Sequence, residues 1–229
     1  MLESLRAEVL EANLELVRRD LVIYTFGNAS GISREQGLVV IKPSGAPYDS
    51  MTPESLVVTD LDGRVVEGRL RPSSDLGTHL ALYRGFADIG GVVHTHSRYA
   101  TAWAQAGREI PCLGTTHADD FHGAVPVTEA LTTGEIQSGY EWNTGQVIVR
   151  RFAQLDPLAI PAVLVAGHGP FCWGASAGAA AHTAVVLEEI ACLSYRTVVL
   201  NPGAEPVSAA LVDKHFLRKH GPGASYGQQ

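Results

Sequence analysis

The chain has 229 residues, of which 45% are hydrophobic and 18% are charged, and its net charge is −7 with histidine neutral. This composition is typical of a folded globular protein, and without an internal repeat or linker we predict a single domain over residues 1–229. The acidic balance argues against non-specific nucleic-acid binding, which needs a surplus of Lys and Arg. It does not exclude a local site for one small phosphate.

The sequence carries no recognisable signal for secretion or membrane insertion. Residues 1–20 place Glu3, Glu8, Glu11 and Glu15 among their apolar residues, unlike the apolar core of a secretory signal. No window reaches the ~18 apolar residues that a membrane span requires. The three cysteines have no CxxC spacing and are typical of free thiols in a reducing compartment. We therefore expect a cytoplasmic protein with no membrane partner.

Helices are predicted where apolar residues recur at intervals of three and four. Leu5, Val9, Ala12 and Leu16 follow this spacing in the first of them. The predicted helices cover residues 3–19, 74–86, 99–106, 177–200 and 209–219.

Strands are predicted from short β-like runs between glycine and proline residues. The runs are residues 21–25, 37–41, 55–59, 64–67, 91–95, 124–127, 146–149 and 162–166, and the LDG at 61–63 suits a hairpin turn. Helices and strands are mixed without strict βαβ repetition. This order predicts an α/β protein with three layers, α/β/α, around a mixed or mostly antiparallel sheet.

The strongest local signal for chemistry is the triplet His94-Thr95-His96 at the end of the apolar run GGVV. Residues i and i+2 of a strand point to the same face, so the two imidazoles could bind one cation. The alternative is a chance HxH in a chain with nine histidines. The pair alone does not decide between these readings.

Two further residues could complete such a site. His168 lies between two glycines after a predicted strand, so its side chain could project into a cleft or simply lie on the surface. Asp75 follows Pro72-Ser73-Ser74 and could be a metal ligand or an ordinary helix cap. Three histidines and one carboxylate form a plausible catalytic metal site.

Three polar turns are candidates for binding a phosphate. They are Gly27-Asn28-Ala29-Ser30, Lys42-Pro43-Ser44-Gly45 and Ser73-Ser74. Backbone N–H groups and hydroxyls at such turns can hold phosphate oxygens, although similar turns are common without a ligand. Candidate acid–base groups are Asp119 and Tyr226, the latter in a Gly/Ser-rich tail that could reach a neighbouring subunit.

Taken together and in order, these segments resemble the class II aldolase/epimerase family, and within it the epimerases of pentulose phosphates. The resemblance runs nearly end to end. It is carried by LEANLELV, IKPSGAPY, RPSSDLGTH, GGVVHTHSRYATAWAQAG, GTTHAD, YEWNTGQVIV, GHGPFCWG and KHFLRKHG with the terminal YGQ.

The resemblance implies a homotetramer whose active sites lie between adjacent subunits. It implies Zn²⁺, with Mn²⁺ or Co²⁺ as alternatives, and a small-molecule sugar phosphate as the substrate. The implied metal ligands are Asp75, His94, His96 and His168. The implied substrate contacts are Gly27, Asn28, Ser44, Gly45, Ser73 and Ser74. The implied acid–base pair is Asp119 and, from the neighbouring subunit, Tyr226.

The activity implied by the resemblance is interconversion of L-ribulose 5-phosphate and D-xylulose 5-phosphate, in carbohydrate metabolism such as arabinose catabolism. The hydrogen on C4 is not acidic, so inversion would proceed by breaking and re-forming the C3–C4 bond. The alternative within the family is a class II aldolase on a related ketose phosphate, but those relatives carry Glu where this chain has Asp75. A non-catalytic, adducin-like relative would have lost metal ligands.

Overall fold

A seven-stranded sheet, in the order β4-β3-β2-β1-β5-β7-β6, forms the centre of the computed structural model, which describes residues 2–225. Every paired strand in that part of the chain is antiparallel to its neighbour. The strands are β1 (Asn28–Ser33), β2 (Leu38–Ile41), β3 (Val57–Asp60), β4 (Val65–Glu67), β5 (Gly91–His94), β6 (Ala162–Leu164) and β7 (Pro170–Gly174).

Helices cover both faces of the sheet. They are α1 (Glu3–Arg18), α2 (Leu76–Gly85), α3 (Arg98–Gln105), α4 (Thr115–Ala118), α5 (Thr133–Arg151), α6 (Ala177–Leu200) and α7 (Ala209–His220). Helices α1 and α6 pack together on one face, and α2 packs against α5 on the other. The predicted three-layer α/β/α class is therefore confirmed, with the sheet antiparallel. Between residues 2 and 225, none of the helices combines the length and apolar character needed to cross a membrane.

Strand β1 occupies the middle of the sheet although its sequence, NASGIS, was interpreted in part as a polar turn. Its small residues suit crowded surroundings. A Cβ on Gly31 would lie 2.8 Å from a methyl group of Leu5 and 2.9 Å from one of Val9, so a larger residue would displace these α1 side chains. On the opposite face the Ser30 hydroxyl lies 2.7 Å from His79 Nδ1 and 2.8 Å from the Tyr83 hydroxyl of α2. Ser30 thus pairs with two buried polar side chains of α2, which a hydrophobicity pattern cannot reveal.

Three predicted strands are wrong. Residues 21–25 form a loop, in which Tyr24 is 86% exposed and has a φ of 54°. Residues 124–127 contribute only isolated bridges, one of them between Val125 and Ile110. Residues 146–149 lie inside helix α5, where Val147 and Ile148 belong to the buried face of the helix. Short apolar runs do not distinguish a strand from a buried helical turn.

Helices α2 and α5 pack closely because glycines line their contact. A Cβ added at Gly145 of α5 would lie 2.4 Å from the Ala81 Cβ and 3.0 Å from the Thr78 carbonyl oxygen. A Cβ added at Gly85 of α2 would lie 2.5 Å from a methyl group of Val149. Neither helix backbone can move away without opening the core between helix and sheet.

This packing predicts that Gly145→Ala destabilises the protein by roughly 1–3 kcal/mol, since the new methyl group forces two helices apart. The matched control is Gly134→Ala in the first turn of the same helix, where no atom lies within 4 Å of the added Cβ. That control should be neutral or stabilising by about 0.5–1 kcal/mol. Urea unfolding of both variants at one protein concentration measures the difference. Equal effects would show that the α2–α5 contact is not close.

The short helix α4 leads into a loop that a buried histidine holds in place. His117 is 3% exposed, and its Nε2 donates a hydrogen bond to the Gly123 carbonyl oxygen at 2.7 Å. Burial lowers the pKa of His117 from 6.5 to about 4, against the smaller opposing effect of this hydrogen bond. The imidazole is therefore neutral in the folded protein at pH values where an unfolded chain binds a proton.

This pKa shift predicts a stability that depends on pH in a definite direction. Between pH 6.5 and 4 the unfolded state binds more protons at His117, so the stability from this residue is complete above pH 6.5 and falls as the pH falls. His117→Gln keeps a donor for the Gly123 carbonyl but cannot titrate. Between pH 7.5 and pH 5, the free energy of unfolding of this variant should fall by roughly 2 kcal/mol less than that of the wild-type protein. Urea unfolding across that pH range measures the difference. An unchanged pH slope would contradict the prediction.

Candidate metal centre and active site

The two histidines of the HTH triplet lie where β5 leaves the sheet. His94 is the last residue of the strand, and His96 follows it in an extended segment. Their ring centroids lie 4.8 Å apart, and their Nε2 atoms are separated by 3.0 Å. Two nitrogens bound to one tetrahedral zinc ion at ~2.05 Å would lie about 3.3 Å apart, so this spacing suits a shared cation.

His168 joins this pair from a turn between β6 and β7. Gly167 has a φ of +71°, a conformation that favours glycine, and the turn is closed by hydrogen bonds from His168 N to the Val165 carbonyl and from Val165 N to the Gly169 carbonyl. The His168 ring lies 4.7 Å from that of His94 and 5.0 Å from that of His96. Donor atoms of the three histidines all lie within 4.8 Å of one another.

The hydrogen bonding of His94 leaves one nitrogen free for a metal. Its Nδ1 lies 2.9 Å from the Pro170 carbonyl oxygen, which can only accept, so Nδ1 carries the proton and Nε2 carries the lone pair. Burial lowers the pKa of His94 to about 3, so its ring is neutral. Burial also lowers the pKa of His96 and of His168. Neutral imidazoles oriented by a second hydrogen bond are the form in which histidine binds metals, so these residues fit a divalent cation.

Asp75 lies directly before α2, and its side chain caps no helical N–H group. Its Oδ2 instead accepts a hydrogen bond of 2.6 Å from Asn28 Nδ2. Burial opposes ionisation, but the neighbouring His94 and His79 rings and the Asn28 amide together lower the pKa of this carboxyl. Asp75 is not one of the group of mutually close donors, which contains the three histidines alone among the described residues. It lies beside them, on the wall of the same cavity.

One cavity of about 320 Å³ brings together all ten residues predicted to bind metal or substrate, apart from the acid–base pair. They are Gly27, Asn28, Ser44, Gly45, Ser73, Ser74, Asp75, His94, His96 and His168. Gly27 is required for space as well as conformation. Its φ is +79°, and a Cβ there would lie 2.9 Å from the His94 carbonyl oxygen.

Lys42 also lines this cavity, although only the residues after it were singled out as substrate contacts. Its side chain is 2% exposed, its Nζ donates to the Thr25 carbonyl at 3.2 Å, and it lies 4.7 Å from the centre of the Tyr48 ring. Burial lowers the pKa of this amine, and the charge of Asp75 opposes the shift. The signal was present in the sequence, because Lys42 begins the turn KPSG that follows a predicted strand.

The structure does not bring Asp119, one of the two predicted acid–base residues, to this cavity. Asp119 directly follows α4, and its carboxylate accepts hydrogen bonds of 2.8 and 3.0 Å from Arg218 of α7. The same carboxylate lies 2.9 Å from Nδ1 of His215, also on α7. Ser225 N donates to the Arg218 carbonyl oxygen, so the chain just before the tail is close to the same group. Tyr226 itself lies outside the described residues.

Known proteins resemble this chain in sequence and in structure. Residues 7–195 match the family described as the class II aldolase and adducin N-terminal domain. The chain is 54% identical over 228 residues to "L-ribulose-5-phosphate 4-epimerase UlaF" of Salmonella paratyphi A and of Salmonella typhi, covering 100% of both chains in each case.

Solved structures of the same fold agree with the family match. The chain superposes on an L-fuculose 1-phosphate aldolase with a TM-score of 0.78 and 26% identity, covering 93% of this chain and 94% of the other. For YgbL of Klebsiella pneumoniae, described as a putative aldolase/epimerase/decarboxylase, the TM-score is 0.73, the identity 27% and the coverage 93% and 99%. The predicted family is confirmed: this chain belongs to the class II aldolase/adducin family.

Proposed function

We propose that the protein is a metal-dependent epimerase that interconverts L-ribulose 5-phosphate and D-xylulose 5-phosphate. The observation that carries the proposal is the 54% identity, over the full length of both chains, to relatives named for this 4-epimerase activity. The cavity that contains three neutral histidines, a carboxylate and a lysine supports the same chemistry. The reaction belongs to pentose phosphate metabolism, such as arabinose catabolism.

The proposed metal is Zn²⁺, with Mn²⁺ or Co²⁺ as alternatives, and its ligands are His94, His96, His168 and Asp75. Three imidazole nitrogens and one carboxylate oxygen are donors that zinc accepts in catalytic sites. When bound, the cation supplies a Lewis acid that stabilises negative charge on substrate oxygens during cleavage of the carbon–carbon bond. Asn28 holds Asp75 in place through the hydrogen bond from its amide.

The other wall of the cavity is suited to the phosphate group. The charges of Lys42 and Asp75 cancel and the histidines are neutral, so the site with a divalent cation would carry about two positive charges, which favours an anion. The hydroxyls of Ser44, Ser73 and Ser74 and the backbone N–H groups of Gly45 and Ser74 are donors beside Lys42. The N–H groups of Ser44 and Ser73 already bond to the carbonyl oxygens of Arg71 and Lys42. These residues would bind the phosphate and so fix the distance of C3 and C4 from the histidines.

Inversion at C4 then needs a base and an acid on opposite sides of the substrate. One group removes the C4 hydroxyl proton, the C3–C4 bond breaks, and C4 becomes an aldehyde carbon. The aldehyde turns over, the bond re-forms on its other face, and the second group returns a proton to the C4 oxygen. We assign these two roles to Asp119 and Tyr226.

We infer that Asp119, and not only Tyr226, acts in the cavity of an adjacent subunit of a homotetramer. Asp119 does not line the cavity of its own chain, and residue 225 is held against Arg218 on the same side as Asp119. The proposed ligands and Asp119 therefore lie in separate regions of one chain. A cytoplasmic location is proposed with this function, because Cys112, Cys172 and Cys192 are all free thiols.

Purified protein incubated with L-ribulose 5-phosphate should form D-xylulose 5-phosphate until the two reach equilibrium, as followed by ¹³C NMR. Stripping the metal with a chelator should abolish the conversion because no Lewis acid is left in the cavity, and added Zn²⁺ should restore it. Net release of glycolaldehyde phosphate without a pentulose product would instead indicate an aldolase. Activity that survives complete metal removal would contradict the metal-dependent mechanism.

A mixture of inactive variants tests the shared active site. His96→Asn removes a proposed metal ligand, and Asp119→Asn removes a proposed acid–base group, so each should lose activity by roughly 10²-fold or more. If the two residues act in one site from different subunits, co-expression in equal amounts should restore about a quarter of the wild-type activity, because random assembly leaves that fraction of sites intact. If both act within one chain, the mixture should stay inactive. Asp62→Asn, which alters an exposed carboxylate paired with Arg84, is the matched control and should keep full activity.

A further inference from the structure

His168 depends on one side chain outside the cavity for a hydrogen bond. Tyr140 of α5 places its hydroxyl oxygen 3.1 Å from His168 Nδ1, and the two rings lie 5.9 Å apart. The histidine is half-buried on a turn between two glycines, so its backbone gives the ring little support. His94, by comparison, is oriented by a backbone carbonyl in the sheet.

A break in helix α5 creates the position of Tyr140. Gly139 has a φ of 142° and a ψ of 73° in the middle of the helix, a conformation that residues with a Cβ rarely adopt. Asn143 spans the break, because its Nδ2 donates to the Glu135 carbonyl at 2.8 Å and to the Ser138 hydroxyl at 3.1 Å. Tyr140 therefore begins the second part of α5 in a defined geometry and not on a frayed end.

The second part of α5 is attached to the helix that follows Asp75. Thr78 of α2 donates a hydrogen bond of 2.6 Å to the Glu141 carbonyl oxygen. A Cβ on Gly77 would lie 3.2 Å from the backbone nitrogen of Trp142, so the two backbones are in close contact. Tyr140 thus connects the start of α2, which positions Asp75, with the turn that carries His168.

We propose that Tyr140 is a positioning residue for the metal centre, acting through His168. For His168 to bind a metal through Nε2, its Nδ1 must carry the proton, and the hydrogen bond then runs from Nδ1–H to the Tyr140 hydroxyl oxygen. This bond selects the tautomer and fixes the rotation of the ring. The inference rests on the metal site of the proposed function, and it adds Tyr140 to the residues that orient the metal ligands.

The test is the affinity of the whole protein for Zn²⁺, measured by competition with a chromophoric chelator. Tyr140→Phe keeps the ring and loses only the hydroxyl, and it should weaken zinc binding by about 10–100-fold, the usual effect of losing a hydrogen bond to a ligating histidine. The visible absorption of the Co²⁺-loaded variant should also change, since the geometry of one ligand changes. Tyr195→Phe removes a hydroxyl from an exposed tyrosine of α6 and should alter neither readout.

A double-mutant cycle separates action through His168 from a general loss of structure. His168→Ala should weaken zinc binding, and adding Tyr140→Phe to it should cause no further loss, because the tyrosine no longer has a ligand to orient. Zinc affinity unchanged in Tyr140→Phe but reduced in His168→Ala would overturn the inference, as would a full additional loss in the double variant. A wild-type protein that binds no zinc would overturn the metal site itself, and with it this inference.

Discussion

The pairing of β5 with both of its neighbours is the constraint on which the cavity depends. In this register Asn28 of β1 lies opposite His94 on one side, and Phe171 of β7 lies opposite His94 on the other. The His94 ring stacks on Phe171 with centroids 4.1 Å apart and an interplanar angle of 12°. A shift of one residue in either pairing would turn His94 to the other face of the sheet, toward α1 and α6. The imidazole is therefore fixed by backbone hydrogen bonds before any metal is considered.

Other parts of the cavity are attached to this strand through Asn28. Its amide nitrogen donates to the Ser73 hydroxyl at 3.0 Å and to the Asp75 carboxylate at 2.6 Å, so the segment before α2 is fastened to the end of β1. Helix α2 then transmits that position to α5 through their glycine-lined contact. Asn28 lies opposite His94 at the end of β5, and its amide binds the segment before α2. Segments that are distant in the sequence therefore meet at this residue.

The sequence was sufficient to predict the architecture and the cavity members, but not all of the elements. The α6 boundaries were predicted as residues 177–200 and observed as Ala177–Leu200, because a long apolar helix with a serine cap leaves little ambiguity. The sequence patterns did not predict strand β1 or helix α5, for different reasons. The first is polar but buried, and the second is interrupted at Gly139, so neither shows the periodicity of its class. Lys42 falls inside a predicted phosphate-binding turn, but its place in the cavity, like the contact of Tyr140 with His168, depends on residues far away in the chain.

The position of Asp119 is a consequence of tertiary structure that no motif contains. Helix α7 buries only Val212 and is attached to the segment after α4 mainly through charged groups. Its contacts with that segment are Arg218 and His215 with Asp119, Lys219 with Asp120, and Asp213 with His122. A helix held in this way keeps the Asp119 carboxylate oriented outside the cavity that the three histidines line. Leu211 and Leu217 of α7 are exposed, as are Val199 and Leu200 at the end of α6. Exposed apolar side chains on the helix that holds Asp119, a proposed acid–base residue outside the cavity, are a physical reason to expect a second subunit at this surface. Catalysis would then depend on assembly, because the proton-transfer groups and the metal ligands would meet only across the contact between two chains.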